Sequence, residues 1–257
     1  MGNNHFTKDQ NNLNINKKIS VIIPAYQEEK LIINILKQFD DNLKAKFLIE
    51  LIVSDGGSTD ETVQIAKKYA DTVIENSSKL KQNISIGRNI GAANAKGDIL
   101  IFLNADTMVP NIENFLSEIS REMINKEIVG ITCPVYVYPH EETIKDKIFH
   151  FILNIYFYTL NLVGLGMGRG ECQVVRRESF IKIGGYNENI AAGEDFEMFK
   201  RLRRLGKIKF LWKHRVYESP RRYRKYGYIR VIITWLLNAI SVLIFKKSLQ
   251  NEWKPIR

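Results

Sequence analysis

Cysteine is almost missing from this sequence. Cys133 and Cys172 are the only two in 257 residues, which excludes a disulfide scaffold and a cysteine-rich zinc fold and points to a reducing compartment. No internal repeat is visible. No G-x-G-x-x-G follows the first strand-like run, so the dinucleotide fingerprint is absent. No G-x-x-x-x-G-K-[ST] occurs either, which argues against P-loop chemistry. Residues 1–16 are polar and Asn-rich with no apolar stretch, a pattern expected of a loose tail and not of a signal peptide.

What remains has a globular composition, 45% hydrophobic and 26% charged, enough to bury a core without covalent staples. Lys and Arg total 38 against 28 Asp and Glu, a net charge of +10 that calls for an anionic partner. Nucleic acid is the partner least favoured, because the basic residues lack the interleaved aromatics of a single-strand platform. A phosphate-bearing small molecule or an acidic membrane surface fits better.

Strand and helix patterns alternate over the first hundred residues. Residues 19–24 are β-branched and end at Pro24, the pattern of a buried strand. Leu31, Ile32, Ile35, Leu36 and Phe39 have helical spacing and predict one helix over 28–43. Strands are expected at 48–54, 72–74 and 99–103, and helices at 60–69 and 89–95. Ser58 or Thr59 is the natural N-cap of the 60–69 helix. Such alternation implies βαβ units and a mostly parallel sheet. Further along, 148–165 is apolar and aromatic, 164–170 is a glycine-rich loop, 192–205 is helical, and 229–245 is a second apolar segment.

In a parallel sheet a ligand lies beyond the carboxyl ends of the strands. Polar groups stand at or near such ends: Pro24-Ala25-Tyr26, Asp55, Arg88 just ahead of a helix, and Asn104-Ala105-Asp106. Asp55 at a strand tip suits a nucleobase or ribose, although Asp-Gly-Gly is also an ordinary turn. Asp106 suits a hard cation, Mg²⁺ or Mn²⁺, completed by phosphate oxygens and water. Glu194-Asp195 opens a helix after Gly193, where a carboxylate complements the dipole or serves as a general base. Arg221 and Arg222 offer guanidinium forks matched to a diphosphate, or simply a solvated basic face. The order and spacing of these groups carry more weight than any one alone.

Five stretches together make the sequence recognisable: SVIIPAYQEEKLI, ELIVSDGGSTDET, GRNIGAANAKGDILIFLNADT, RRESFIKIGGYNE and GEDFEMFKRLRRLG. They resemble the family-2 glycosyltransferases, inverting nucleotide-sugar enzymes, in the family's order across residues 18–206. The resemblance implies an α/β GT-A fold with a mostly parallel, Rossmann-like central sheet flanked by helices. It implies that Pro24, Ala25, Tyr26 and Glu28 contact the nucleoside, and that Asp55 binds the base. Arg88 then stands near the donor phosphates, and Asn104-Ala105-Asp106 matches the D-x-D metal motif, with Asp106 as the ligand for Mg²⁺ or Mn²⁺. Asp195, in the Glu194-Asp195 pair, matches the catalytic base, and Arg221 and Arg222 lie near diphosphate or acceptor. Asn104 departs from the motif, which expects aspartate there. The loss of that carboxylate favours an alternative, a non-catalytic nucleotide-sugar-binding or scaffold protein.

The organisation this implies is a flexible tail over 1–17, a GT-A domain over 18–220, and a basic, amphipathic helical region over 221–257. The 229–245 segment is 17 residues long, at the short edge for a membrane span, and carries Arg230 and three further polar residues. Its basic flanks favour peripheral contact with anionic lipid on the inner face of the cell membrane, with the protein cytoplasmic; a core or subunit-contact helix and a true span are the other readings of 148–165 and 229–245. The expected partners are a UDP- or GDP-linked sugar donor, a glycan or polyprenyl-linked acceptor, and a membrane surface.

Overall fold

The computed structural model describes residues 18–77, 82–245, 247–249 and 256. The expected tail over 1–17 lies outside them. The chain begins β1 (Ile19–Ala25), α1 (Ile32–Leu36), α2 (Asp41–Phe47), β2 (Ile49–Asp55), α3 (Thr62–Ala66) and β3 (Thr72–Glu75). It continues α4 (Ile84–Asn94), β4 (Ile99–Leu103), α5 (Ile112–Glu122), β5 (Ile128–Thr132), β6 (Val135–Val137) and α6 (Ile144–Leu162). It closes with β7 (Cys172–Arg176), α7 (Arg177–Lys182), α8 (Glu194–Leu202), β8 (Lys207–Phe210), β9 (Val216–Glu218), α9 (Arg221–Tyr226) and α10 (Tyr228–Phe245).

Seven strands form the main sheet in the order β3-β2-β1-β4-β7-β5-β8. All run one way except β7, which is antiparallel to both β4 and β5. The sheet is buried on both faces. Along β4, Ile99, Ile101 and Leu103 join one core, while Leu100 and Phe102 join the other. This two-sided burial explains why the strand reads as an unbroken apolar run.

Several expected boundaries change, each for a local reason. The single helix over 28–43 is two short helices, because the Asp40 carboxylate accepts a hydrogen bond from the Leu43 amide at 2.8 Å and starts α2 afresh. Neither Ser58 nor Thr59 caps α3. Ser58 Oγ instead accepts from the Gln27 amide and Thr59 Oγ1 from Gln27 Nε2, both at 2.8 Å, tying the loops after β1 and β2 together. α4 begins at Ile84, capped by Asn83, so Arg88 lies inside the helix and not ahead of it. Gly91 lets α4 sit against β1, since a Cβ there would fall 2.4 Å from Ile22 Cγ2.

Parallel register aligns Ala25 with Asp55 at one rim of the sheet, with the end of β4 beside them. The reversed strand β7 matters here. Because Cys172 pairs with Leu103, the residues that precede β7, Gly170 and Glu171, arrive at that same rim. A two-stranded parallel sheet of β6 and β9 completes it. Met108 and Tyr217 exchange amide hydrogen bonds of 2.9 and 2.8 Å, which bring the end of β9 and the start of α9 to the loop after β4.

Candidate active site

A cavity of about 470 Å³ opens at this rim. Pro24, Ala25, Tyr26 and Glu28 line one side, and Asn104, Ala105 and Asp106 the next. Arg221 and Arg222 face them from α9. Asp55 lies just beneath, between the lining residues Ser54 and Gly56. Its Oδ2 accepts the Gly57 and Ser58 amides, both at 2.9 Å, while its Oδ1 is buried with no hydrogen-bond partner among the described residues. An acceptor left unpaired under a cavity is costly unless a ligand supplies the donor.

Arg88, Glu194 and Asp195 do not line the cavity. Arg88 and Glu194 are buried behind it, and Asp195, half-buried, stands beside Gly170, next to the lining residue Glu171. Arg88 is 1% exposed, and its Nη1 donates to Glu194 Oε1 at 2.8 Å. Its Nη2 donates to Asn104 Oδ1 at 3.0 Å and to the Gly170 carbonyl at 2.8 Å. The guanidinium therefore holds three segments that meet at the rim: the turn after β4, the strand start before β7 and the N-terminus of α8. Asn104 is thereby accounted for, because its amide oxygen anchors Arg88.

Asp195 stands close behind Gly170. A Cβ at Gly170 would lie 3.2 Å from Arg88 Nη2 and 3.5 Å from Asp195 Oδ2, so only glycine leaves that space open. Burial, followed by the adjacent Glu194 charge, pushes the Asp195 carboxyl up to about 7. A half-buried carboxylate poised near neutrality has the properties of a general base.

Asp106 Oδ2 accepts from Arg221 Nη2 at 2.8 Å, and the same nitrogen reaches Glu28 Oε2 at 3.2 Å. Among the described residues no group of three or more His, Cys, Asp or Glu side chains could hold a metal ion. Asp106 fits Mg²⁺ or Mn²⁺ only as one carboxylate ligand, with donor phosphates and water supplying the rest.

Among the cavity residues that escaped sequence reasoning as individual candidates are two acidic ones, Glu171 and Glu218. Glu171 and Glu218 are hydrogen-bonded to each other and share Arg169, whose Nη2 lies 3.1 Å from Glu171 Oε1 and 2.8 Å from Glu218 Oε1. Tyr223 donates to Glu218 Oε1 at 2.7 Å. Two carboxyl groups in direct hydrogen bond require one proton between them. Burial and the Glu171 charge push Glu218 well up, so it carries that proton. Burial would also raise Glu171, but Arg169 and the Glu218 hydrogen bond hold it below the usual range. Glu171 ends the glycine-rich loop and Glu218 precedes Ser-Pro-Arg-Arg, but no spacing pattern links residues 47 positions apart.

Comparison with known proteins agrees with the geometry. An uncharacterised glycosyltransferase of Haemophilus influenzae is 24% identical over 199 residues, covering 72% of this chain and 61% of that protein. The chain thus spans less than two thirds of that relative. The solved mannosyltransferase PcManGT from Pyrobaculum calidifontis, in complex with GDP-Man and Mn²⁺, superposes with a TM-score of 0.61 at 18% identity, covering 79% of this chain and 57% of that one. Glucosyl-3-phosphoglycerate synthase from Mycobacterium tuberculosis, with Mn²⁺, UDP and glucosyl-3-phosphoglycerate, gives 0.61 at 16% identity, covering 91% and 81%. These likenesses show the GT-A fold. The profile described as Glycosyl transferase family 2 matches residues 20–184, more than half of the sequence, and the chain belongs to that family.

Proposed function

We propose that this protein is an inverting glycosyltransferase that moves a sugar from a UDP- or GDP-linked donor to a hydroxyl or phosphate of a glycan or polyprenyl-linked acceptor in cell-surface glycan synthesis. The reading places it on the cytoplasmic face of the membrane. The observation that carries it is the cavity at the sheet rim, where Asp106 and Arg221 stand beside Asn104 and Asp195 lies directly behind Gly170. GDP-Man, UDP and Mn²⁺ in the complexes of structurally similar proteins support the donor and cation assignment.

The donor's base lies against Pro24, Ala25 and Tyr26, where Asp55 Oδ1 accepts its N–H. Glu28 borders the nucleoside. Asp106 would hold a divalent cation, which supplies charge neutralisation for the diphosphate. Arg221 and Arg222 add fixed positive charge on the same side. Arg88 acts from behind, orienting Asn104 and Glu194. The acceptor O–H attacks the anomeric carbon on the face opposite the diphosphate, and its proton passes to the Asp195 carboxylate. The new C–O bond forms as the old one breaks and the nucleoside diphosphate leaves with its electron pair. One in-line displacement inverts the anomeric configuration and needs no covalent intermediate.

Calorimetric titration with UDP and GDP in the presence of Mn²⁺, followed by an assay of donor turnover, tests this reading. Nucleotide binding with turnover that disappears in Asp195→Asn is the expected result. Binding with no turnover across a panel of donors and acceptors would favour the scaffold alternative.

A further inference from the structure

We propose that the outward faces of α6 and α10 form a docking surface for an anionic lipid bilayer, with both helices lying in the plane of the interface. This deepens the reading above, on which it rests only for the nature of the acceptor.

Both helices leave exposed an apolar stripe of the kind that an ordinary surface helix turns inward. On α6, Ile144, Ile148, Phe151, Ile152 and Ile155 are 42–76% exposed. The same helix buries Asp146, His150 and Asn154 completely. On α10, Ile229, Ile233, Leu236, Leu237, Ile240 and Ile244 are 49–76% exposed, while Asn238 and Ser241 face inward. The spacing of three and four residues in each set makes a continuous stripe. A monomeric protein rarely leaves two such stripes in water.

The helices meet at their first turns. The rings of Phe149 and Tyr228 are 4.9 Å apart, and the Tyr228 hydroxyl donates to Asp146 Oδ1 at 2.7 Å. Asp146 also accepts from Arg224 Nη1 at 3.0 Å, which pins α9 between them. The inner faces, with Asp146, His150 and Asn154 beside the buried Phe149 and Val231, are thus spent on holding the helices to the body, and the apolar outer faces are left over.

Charge selects what covers them. Neither helix exposes a carboxylate: Asp146 is fully buried, and α10 contains no acidic residue. Exposed cations border the faces at Lys145, Lys225, Arg230 and Lys247. A second copy would bring the same cations and another net +10 to the contact. An anionic bilayer neutralises the cations while it buries the stripes. Among the described residues no helix is long and apolar enough to cross a membrane.

Docking also places the cavity. Trp235 of α10 lines it, while Leu236 and Leu237 beside it face out. The cavity then lies about one helix diameter, roughly 10 Å, from the headgroups. A hydroxyl or phosphate carried on a lipid reaches it from the membrane side.

Flotation of the full chain with vesicles tests the proposal. The vesicles are phosphatidylcholine alone, or phosphatidylcholine with phosphatidylglycerol at about two to one. Partitioning at least ~10-fold stronger into the mixed vesicles, and weakened by high salt, is expected. Ile152→Asp on α6 and Leu237→Asp on α10 should each weaken it by about 10-fold or more. Both sites are exposed, so the thermal midpoint and UDP affinity of each variant should stay at the wild-type value. Reading UDP affinity on the same samples keeps the fate of the donor site separate from that of the docking face. No partitioning, equal partitioning into both vesicle types, or partitioning untouched by either substitution would overturn the proposal. So would a dimer in solution that the two substitutions dissolve.

Discussion

Arg88 and Glu194 meet inside the protein, with Nη1 donating to Oε1 at 2.8 Å and side chains only 1% and 10% exposed. A pair this deep is weak evidence of net stabilisation, since the cost of desolvating two charges offsets their attraction. Its effect is on position. Arg88 Nη2 reaches Asn104 and Gly170, so one guanidinium sets the turn that carries Asp106 relative to the helix that carries Asp195.

Breaking that pair from one side strands a buried charge. Arg88→Met should lower unfolding free energy by about 3–5 kcal/mol. The double variant Arg88→Met/Glu194→Met should recover much of the loss. Denaturant titration of the wild type, both single variants and the double variant measures the coupling. A double-variant loss equal to the sum of the two single losses would show that the pair is not coupled.

Asp195 should govern both rate and stability with pH. As the base it must be ionised, so transfer should rise about tenfold per pH unit below about 7 and level off above. Asp195→Asn should lower turnover by about 10²–10⁴ and leave UDP binding in place. For stability the sign is opposite to that of a paired carboxylate. The folded state keeps the proton that the unfolded chain has lost, so stability falls as pH rises from about 4 to about 7. Asp195→Asn removes that penalty and should be on the order of 2 kcal/mol more stable than the wild type at pH 8, with little difference at pH 4. Thermal unfolding across pH checks both ends.

Glu171 and Glu218 together carry one negative charge opposite Arg169; it rests on Glu171, and Glu218 takes it over when Glu171 is made neutral. Each single change to Gln should therefore cost about 1 kcal/mol or less, because the amide can replace the protonated carboxyl. Glu171→Gln/Glu218→Gln leaves the buried guanidinium without a carboxylate and should cost about 3–5 kcal/mol. Additive losses in urea titrations would show that the two do not share a proton.

Asp106 should be required for the cation. Mn²⁺ should raise UDP affinity in the wild type, chelation should reverse the gain, and Asp106→Asn should abolish it. Arg221→Ala frees Asp106 of its partner at 2.8 Å and should strengthen Mn²⁺ binding measured without nucleotide. Calorimetry with the metal alone, then with UDP, separates the two effects.

Much of this protein is written in local sequence. Two-sided burial makes β1, β2 and β4 contiguous apolar runs, and strands followed by polar turns mark where a ligand site begins. Pro24, Asn104 and Asp106 line the cavity because strand ends are legible from such patterns. Helix 28–43 was not legible as two helices, because Asp40 capping outweighs an apolar spacing that continues across it. Glu171 and Glu218 were invisible for a different reason. They belong to the site only because β7 runs backwards and because Met108 pairs with Tyr217, contacts between distant segments that leave no periodic trace. The inward or outward facing of α6 and α10 was undecided in the same way. Hydrophobic spacing defines a stripe, but only the packed neighbours determine whether that stripe meets the core or the solvent.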